Sequence, residues 1–174
     1  MGEWRTDFAA AHAHLPWWPA KLLRPRLVFL PFWWPLSSNG AWAFLNVILV
    51  GYGLRNSPTY VRRYIIGHEY GHIQSNHTFL QLGILVALMG VELARIYQMP
   101  SVEGWSWLFL LIMGALVLWP PLERSRQYQA DSVAASLYGQ ETARQGMLWM
   151  AYKTATFDKT RRKRLTRLGW QEQD

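Results

Sequence analysis

The chain has 174 residues, enough for one domain with a core of its own and short for two. Eighteen Lys and Arg against eleven Asp and Glu give a net charge of +7, which favours anionic partners such as phospholipid headgroups. Cysteine is absent, which excludes a disulfide framework and is compatible with a reducing compartment.

Residues 1–40 are interrupted by Pro16, Pro19, Pro25, Pro31 and Pro35, which excludes a long helix and predicts a loop-like arm packed on the surface. The first twenty residues hold Glu3, Asp7 and two histidines and no continuous apolar stretch, so no cleavable signal peptide is expected there. The tryptophans of LPWWP and PFWWP adjoin apolar runs and basic residues, a pattern shared by membrane interfaces and ordinary packing. Ala41 to Leu54, AWAFLNVILVGYGL, is apolar and rich in β-branched and aromatic residues; its second half predicts a strand. Ser57 followed by Pro58 predicts a helix start, and the helix should run through Gln74. Within it Val61, Ile65, His68 and His72 fall three or four apart, so the histidines extend the buried stripe.

Two apolar segments follow, Thr78 to Val91 and Trp105 to Trp119, separated by the turn signal YQMPSVEG. As helices they would be about 21 and 22 Å long, short of a hydrocarbon core of ~30 Å. The second has no charged residue and is apolar all round, and a helical hairpin inserted in the bilayer is the reading adopted, against a pair of buried core helices. Lys and Arg are missing from the turn itself but present on the outer flanks, at Arg55, Arg62, Arg63, Arg124 and Arg126, which predicts that the bulk of the protein faces the cytoplasm. LERSRQYQADSVAASLYG then reads as an amphipathic helix ending at Gly139, and QETARQGMLWMAYKTATF as another. The closing basic run, Lys159 to Arg167, is expected to be a solvated tail or a contact with anionic lipid. With basic residues so divided and no recognisable reading motif, nucleic acid is not an expected partner.

The stretch IIGHEYGHIQ, Ile65 to Gln74, carries the chemistry. Histidines four apart on a helix have β-carbons about 5 to 6 Å apart, so His68 and His72 can point ring nitrogens at one ion. Glu69, on the adjoining edge, can take a proton from water activated by zinc, which lowers the water's pKa towards ~7 and polarises a substrate carbonyl. That combination is the chemistry of peptide-bond hydrolysis, with zinc as cofactor and polypeptide as substrate. A third protein ligand is missing from the stretch itself. His77 follows His72 too closely for a three-histidine site and reads as a helix-end surface residue. His12 and His14 read as loop residues, with cover of the metal in a latent form as their functional alternative.

The order of parts, strand NVILVGYGL, helix start SP, IIGHEYGHI, a hydrophobic hairpin and then SRQYQADSVAA, resembles the HtpX-like membrane zinc metalloproteases, gluzincins that include the CAAX prenyl endopeptidases. The resemblance spans roughly residues 39–155. It implies an α+β, mostly α fold with a short edge strand that binds extended substrate, the motif helix, the hairpin and C-terminal helices. It also implies His68 and His72 as zinc ligands and Glu69 as general base. In that family the segment after the hairpin reads Arg-Glu-aromatic-x-Ala-Asp, the glutamate being the third ligand and the aspartate supporting a ligand histidine. Here the segment is Arg126, Gln127, Tyr128, Gln129, Ala130, Asp131, with glutamine at the ligand position. Gln127 offers a neutral carbonyl oxygen. Glu123 and Asp131, one turn to either side on the same face, are the carboxylates that could replace it, Asp131 being better suited to fixing an imidazole tautomer.

The chain therefore reads as one metalloprotease-like domain over 1–174. Its parts are an arm (1–40), a strand and motif helix (41–77), a hairpin (78–120), a third-ligand helix with a C-terminal helix (121–157) and a basic tail (158–174). The expected activity is that of a membrane-associated zinc endopeptidase in contact with lipid, its catalytic part facing the cytoplasm. The alternative, motivated by Gln127, is a pseudo-metalloprotease kept as a membrane interaction or scaffolding module.

Overall fold

The computed structural model describes residues 2–13, 25–33, 40–44, 46–75, 122–154 and 158–170, with single positions between 83 and 97. Over these residues the fold is α+β and mostly α. Its elements are α1 (Gly2–Ala13), β1 (Arg26–Phe29), β2 (Ala41–Phe44), β3 (Val47–Val50), a 3-10 turn (Tyr52–Leu54) and α2 (Thr59–Gln74). After them come α3 (residues 122–138), α4 (Gln140–Lys153) and α5 (Lys159–Arg167). The expected hairpin lies largely outside the described residues, and among those described no helix is long and apolar enough to cross a membrane.

The segment 41–54 gives two strands where one was expected. Its second half is β3, paired parallel to β1 and antiparallel to β2 in the order β1-β3-β2. Paired on both sides, β3 is the centre of the sheet, with Ile48 and Val50 fully buried. The edge strand is therefore β2, from the first half of the segment. Its alternation puts Ala41 and Ala43 on the inner face and Trp42 and Phe44 on the outer one. Gly51 N–H donates to the Gly40 carbonyl at 2.8 Å, so the even-numbered residues of β2 turn their backbone groups towards β3. Ala41 and Ala43 then turn theirs to the open edge.

The arm is not all loop. No proline precedes Pro16, and residues 2–13 form α1. Its attachment is tertiary: Trp4 is buried edge-on to Phe29 and donates Nε1–H to the Arg55 carbonyl at 3.0 Å. Asp7 accepts from Arg62 at 3.3 Å and from Arg63 at 3.2 Å, while Glu3 meets Arg62 at 2.7 Å. The basic run 159–167 is likewise no simple tail. Asp158 caps α5 by accepting from Arg161 N–H, and Leu165 and Leu168 are buried three residues apart. The cap proposed at Ser57 is different in kind: α2 begins after Pro58, and Ser57 donates back to the Leu54 carbonyl. The end of α2 at Gln74 and the stop of α3 before Gly139, at φ 89°, agree with the sequence reading.

Helix α2 is the axis of the fold, buried on nearly every side by α1, the sheet and α4. Its approach to α3 is set by two glycines. A Cβ built on Gly67 would lie 2.7 Å from the Ala134 Cα, and one on Gly71 would lie 2.5 Å from the Ala130 Cα. These neighbours are backbone atoms and cannot swing aside. Replacing Gly71 with Ala is expected to cost about 1–3 kcal/mol, the range of core overpacking, even though alanine is the better helix former. Chemical denaturation of wild type and Gly71→Ala measures this; equal stability would show that the two helices can separate freely.

Candidate metal centre and active site

Helix α2 presents His68 and His72 on one face, and their Nε2 atoms lie 3.3 Å apart with the rings nearly perpendicular. Two zinc–nitrogen bonds of ~2.0–2.1 Å at a tetrahedral angle span about 3.3 Å, so the pair fits one zinc ion. The far side of His68 is fixed as well. Its Nδ1 lies 2.9 Å from Asp131 Oδ1, and because a carboxylate only accepts, Nδ1 carries the proton and Nε2 keeps its lone pair for a metal.

Asp131 is held by more than the histidine. Arg164 grips it with Nε to Oδ2 at 2.7 Å and Nη2 to Oδ1 at 2.8 Å, and Tyr64 donates its hydroxyl to Oδ1 at 3.1 Å. Burial alone would raise this carboxyl, but the hydrogen bonds from Arg164 and His68 outweigh it and hold the pKa at about 2. Both oxygens are thus engaged on the side of His68 away from His72. Of the three candidates for the third ligand, Asp131 is placed as a support of His68.

Gln127 and Glu123 line the same cleft as the two histidines. Among the described residues no third His, Cys, Asp or Glu joins His68 and His72 in an arrangement able to hold a metal. Glu123 instead accepts from the Gln127 amide at 2.7 Å, with Arg126 at 3.7 Å from its other oxygen. His12 is exposed on α1, and His14 and His77 lie outside the described residues.

Glu69 is buried at the foot of β2, where its carboxylate accepts from the Ala43 N–H on the open edge of the sheet. Burial pushes its pKa above the usual carboxylate range, against the opposing pull of His68, the Ala43 N–H and Arg164. A raised pKa makes a stronger proton acceptor. The cleft, about 450 Å³, runs from the edge strand over these residues to Met150 and Arg161 on the far wall. It brings the outer edge of β2, a buried carboxylate and two converging imidazoles into one space.

Two site residues escape the sequence reading, Tyr64 and Arg164. Tyr64 lies one turn before His68, an ordinary apolar position in the pattern. Arg164 was one of six cations in a basic run. The signal that sets it apart is local: an Asp158 cap followed by Leu165 and Leu168 marks a helix with a buried face, so a neighbouring arginine must enter the core beside it.

A family model described as Peptidase family M48 matches residues 58–160, more than half of the chain. No curated protein and no solved structure matches it.

The Asp131 network predicts an acid dependence. A carboxyl held at about 2, against ~3.9 in the unfolded chain, contributes about 2 kcal/mol that is fully present above pH ~4 and lost as pH falls to about 2. Metal-free Asp131→Asn should therefore be less stable than wild type by at least that amount at neutral pH, since Arg164 also loses its counter-ion. The difference should shrink towards pH 2; a pH-independent gap in denaturant titrations would contradict the assignment.

Proposed function

The chain belongs to peptidase family M48, and from that membership we propose that it is a zinc-dependent endopeptidase with Glu69 as its general base. The observation that carries the reading is the 3.3 Å convergence of two imidazole nitrogens, one of them backed by Asp131, beside a buried carboxylate at an open strand edge. His68, His72 and Gln127 would hold the metal. When bound, zinc supplies Lewis acidity, lowering the pKa of the attacking water towards ~7 and polarising the scissile carbonyl.

The chain's own residues supply the rest. An extended polypeptide lies along β2 by adding a strand to its outer edge, where the Ala41 N–H and the Ala41 and Ala43 C=O groups are turned outward and the Ala43 N–H is held by Glu69. Glu69 accepts the proton of the attacking water and passes it to the departing amine, leaving the carboxylate as it began. Asp131 keeps the proton of His68 on Nδ1 throughout, so the ligand tautomer does not change. The gluzincin architecture belongs to this proposal.

Membrane association is proposed with it, the catalytic part facing the cytoplasm. Its support is the apolar runs 78–91 and 105–119, the +7 charge, and a set of exposed aromatic side chains. Phe32 is 74% exposed, Trp33 67% and Phe44 58%, and Phe32 packs edge-on against Tyr52. The second reading, a pseudo-metalloprotease, draws on the neutral Gln127.

Two measurements test the proposal. Glu69→Gln should lower hydrolysis of an unfolded polypeptide by about 10²–10⁴-fold while retaining zinc, and His68→Ala should lose zinc on elemental analysis. Wild type that binds zinc without cleaving any unfolded substrate would favour the scaffolding module. Vesicle flotation tests the membrane claim; full-length protein that stays with the soluble fraction would overturn it.

A further inference from the structure

The glutamine at the proposed third ligand position is not isolated. Its side-chain amide donates to Glu123 Oε1 at 2.7 Å, from one turn further along the same helix. A carboxylate can only accept, so the amide nitrogen faces Glu123 and the carbonyl oxygen is turned from it. We propose that Glu123 and Gln127 form one metal-binding unit, in which Gln127 gives the ligand oxygen while Glu123, without touching the metal, fixes the amide and supplies the missing negative charge. The proposal rests on Gln127 being the third ligand.

The chemistry follows from amide resonance. An N–H donated to an anion draws electron density towards the carbonyl oxygen and makes it a better donor, as a carboxylate does for a ligand imidazole. The electrostatics point the same way. Two neutral histidines and a neutral amide leave the ligand set itself without a negative charge, in a cleft where the Glu69 carboxylate faces Arg126, Arg161 and Arg164 together. Asp131 contributes little here, because Arg164 meets it with two hydrogen bonds. Glu123 restores a negative charge one amide away from the ion. Its own carboxylate is occupied by Gln127 and faced by Arg126, and its side chain is 40% exposed, which suits a supporting group better than a ligand.

Non-additivity of two substitutions tests the unit. Zinc affinity of the full-length protein is measured by competition with a chromophoric chelator, with metal-free unfolding of each variant as the control for folding. Glu123→Gln should weaken zinc binding about tenfold or more, the usual range for a partner that supports a ligand. In the Gln127→Glu background the same substitution should weaken binding much less, by about threefold or under. There the ligand carries its own charge and no amide has to be oriented, so Glu123 adds only its more distant attraction for the ion. Equal weakening in both backgrounds would make Glu123 itself the ligand and overturn the proposal. No effect of Glu123→Gln, alongside a loss in Gln127→Ala, would overturn the supporting role while leaving Gln127 as ligand. No effect of Gln127→Ala would remove the ligand assignment and the unit with it.

Discussion

The site depends on how closely α2 and α3 approach. At Gly67 and Gly71 the two helices meet with Ala134 and Ala130 nearly backbone to backbone, closer than any side chain would permit. That distance lets Asp131 reach His68 at 2.9 Å and sets Gln127 over the same cleft. A hydrogen bond of this length fails when its partners separate by less than an ångström. The glycines between and beside the two histidines are therefore part of the ligand geometry: they determine which residues of α3 can support the metal side of α2.

The second constraint is buried charge. Asp131 and Arg62 are both nearly removed from solvent. An ion so placed costs several kcal/mol unless it is paired and hydrogen-bonded. Both are. Arg62 is met by Asp7 and Glu3 of α1 and by the Ser57 carbonyl; Asp131 is met by Arg164 of α5 and by Tyr64 and His68 of α2. The two terminal helices are thus each tied in by a buried arginine–aspartate contact of long sequence separation, α1 to α2 and α5 to α3. Such pairs add little net stability, but they strongly disfavour any arrangement that leaves one partner alone. They fix where α1 and α5 lie, and through Arg164 the position of α5 bears on the tautomer of a candidate metal ligand.

What could be read from the sequence was local. Helix α2 and its histidine spacing and the stop at Gly139 follow from residues three to five apart, whereas the pairing of Asp131 with an imidazole, 63 positions away, came only from the family resemblance. What could not be read depends on partners distant in the chain. Helix α1 shows only a weak apolar stripe of helical period, and its partners Arg55, Arg62 and Arg63 are about fifty positions away. The strand nearest the site was read as the more apolar β3, because β-propensity follows side chains, whereas the edge position of β2 is decided by pairing. Arg164 was hidden by its neighbours: five similar charges surround it in sequence, and only the burial of Leu165 and Leu168 distinguishes its face of the helix.

The position of Glu69 joins these levels. Ala41 and Ala43 are small and face inward, so β2 lies close enough to α2 for the Ala43 N–H to reach the carboxylate. That same alternation turns the backbone groups of both alanines to the open edge, where no strand of the described sheet follows. A larger inward residue at either position would hold the strand off the helix and separate the base from the edge. The pKa of Glu69 then reflects a balance between burial, which raises it, and His68, Ala43 and Arg164, which lower it. Burial prevails, and the carboxylate that touches the edge strand is held as a stronger base than a solvated glutamate. Proton acceptor and peptide-binding edge are consequently set by one packing contact, between a strand of small inward residues and a helix buried on nearly every side.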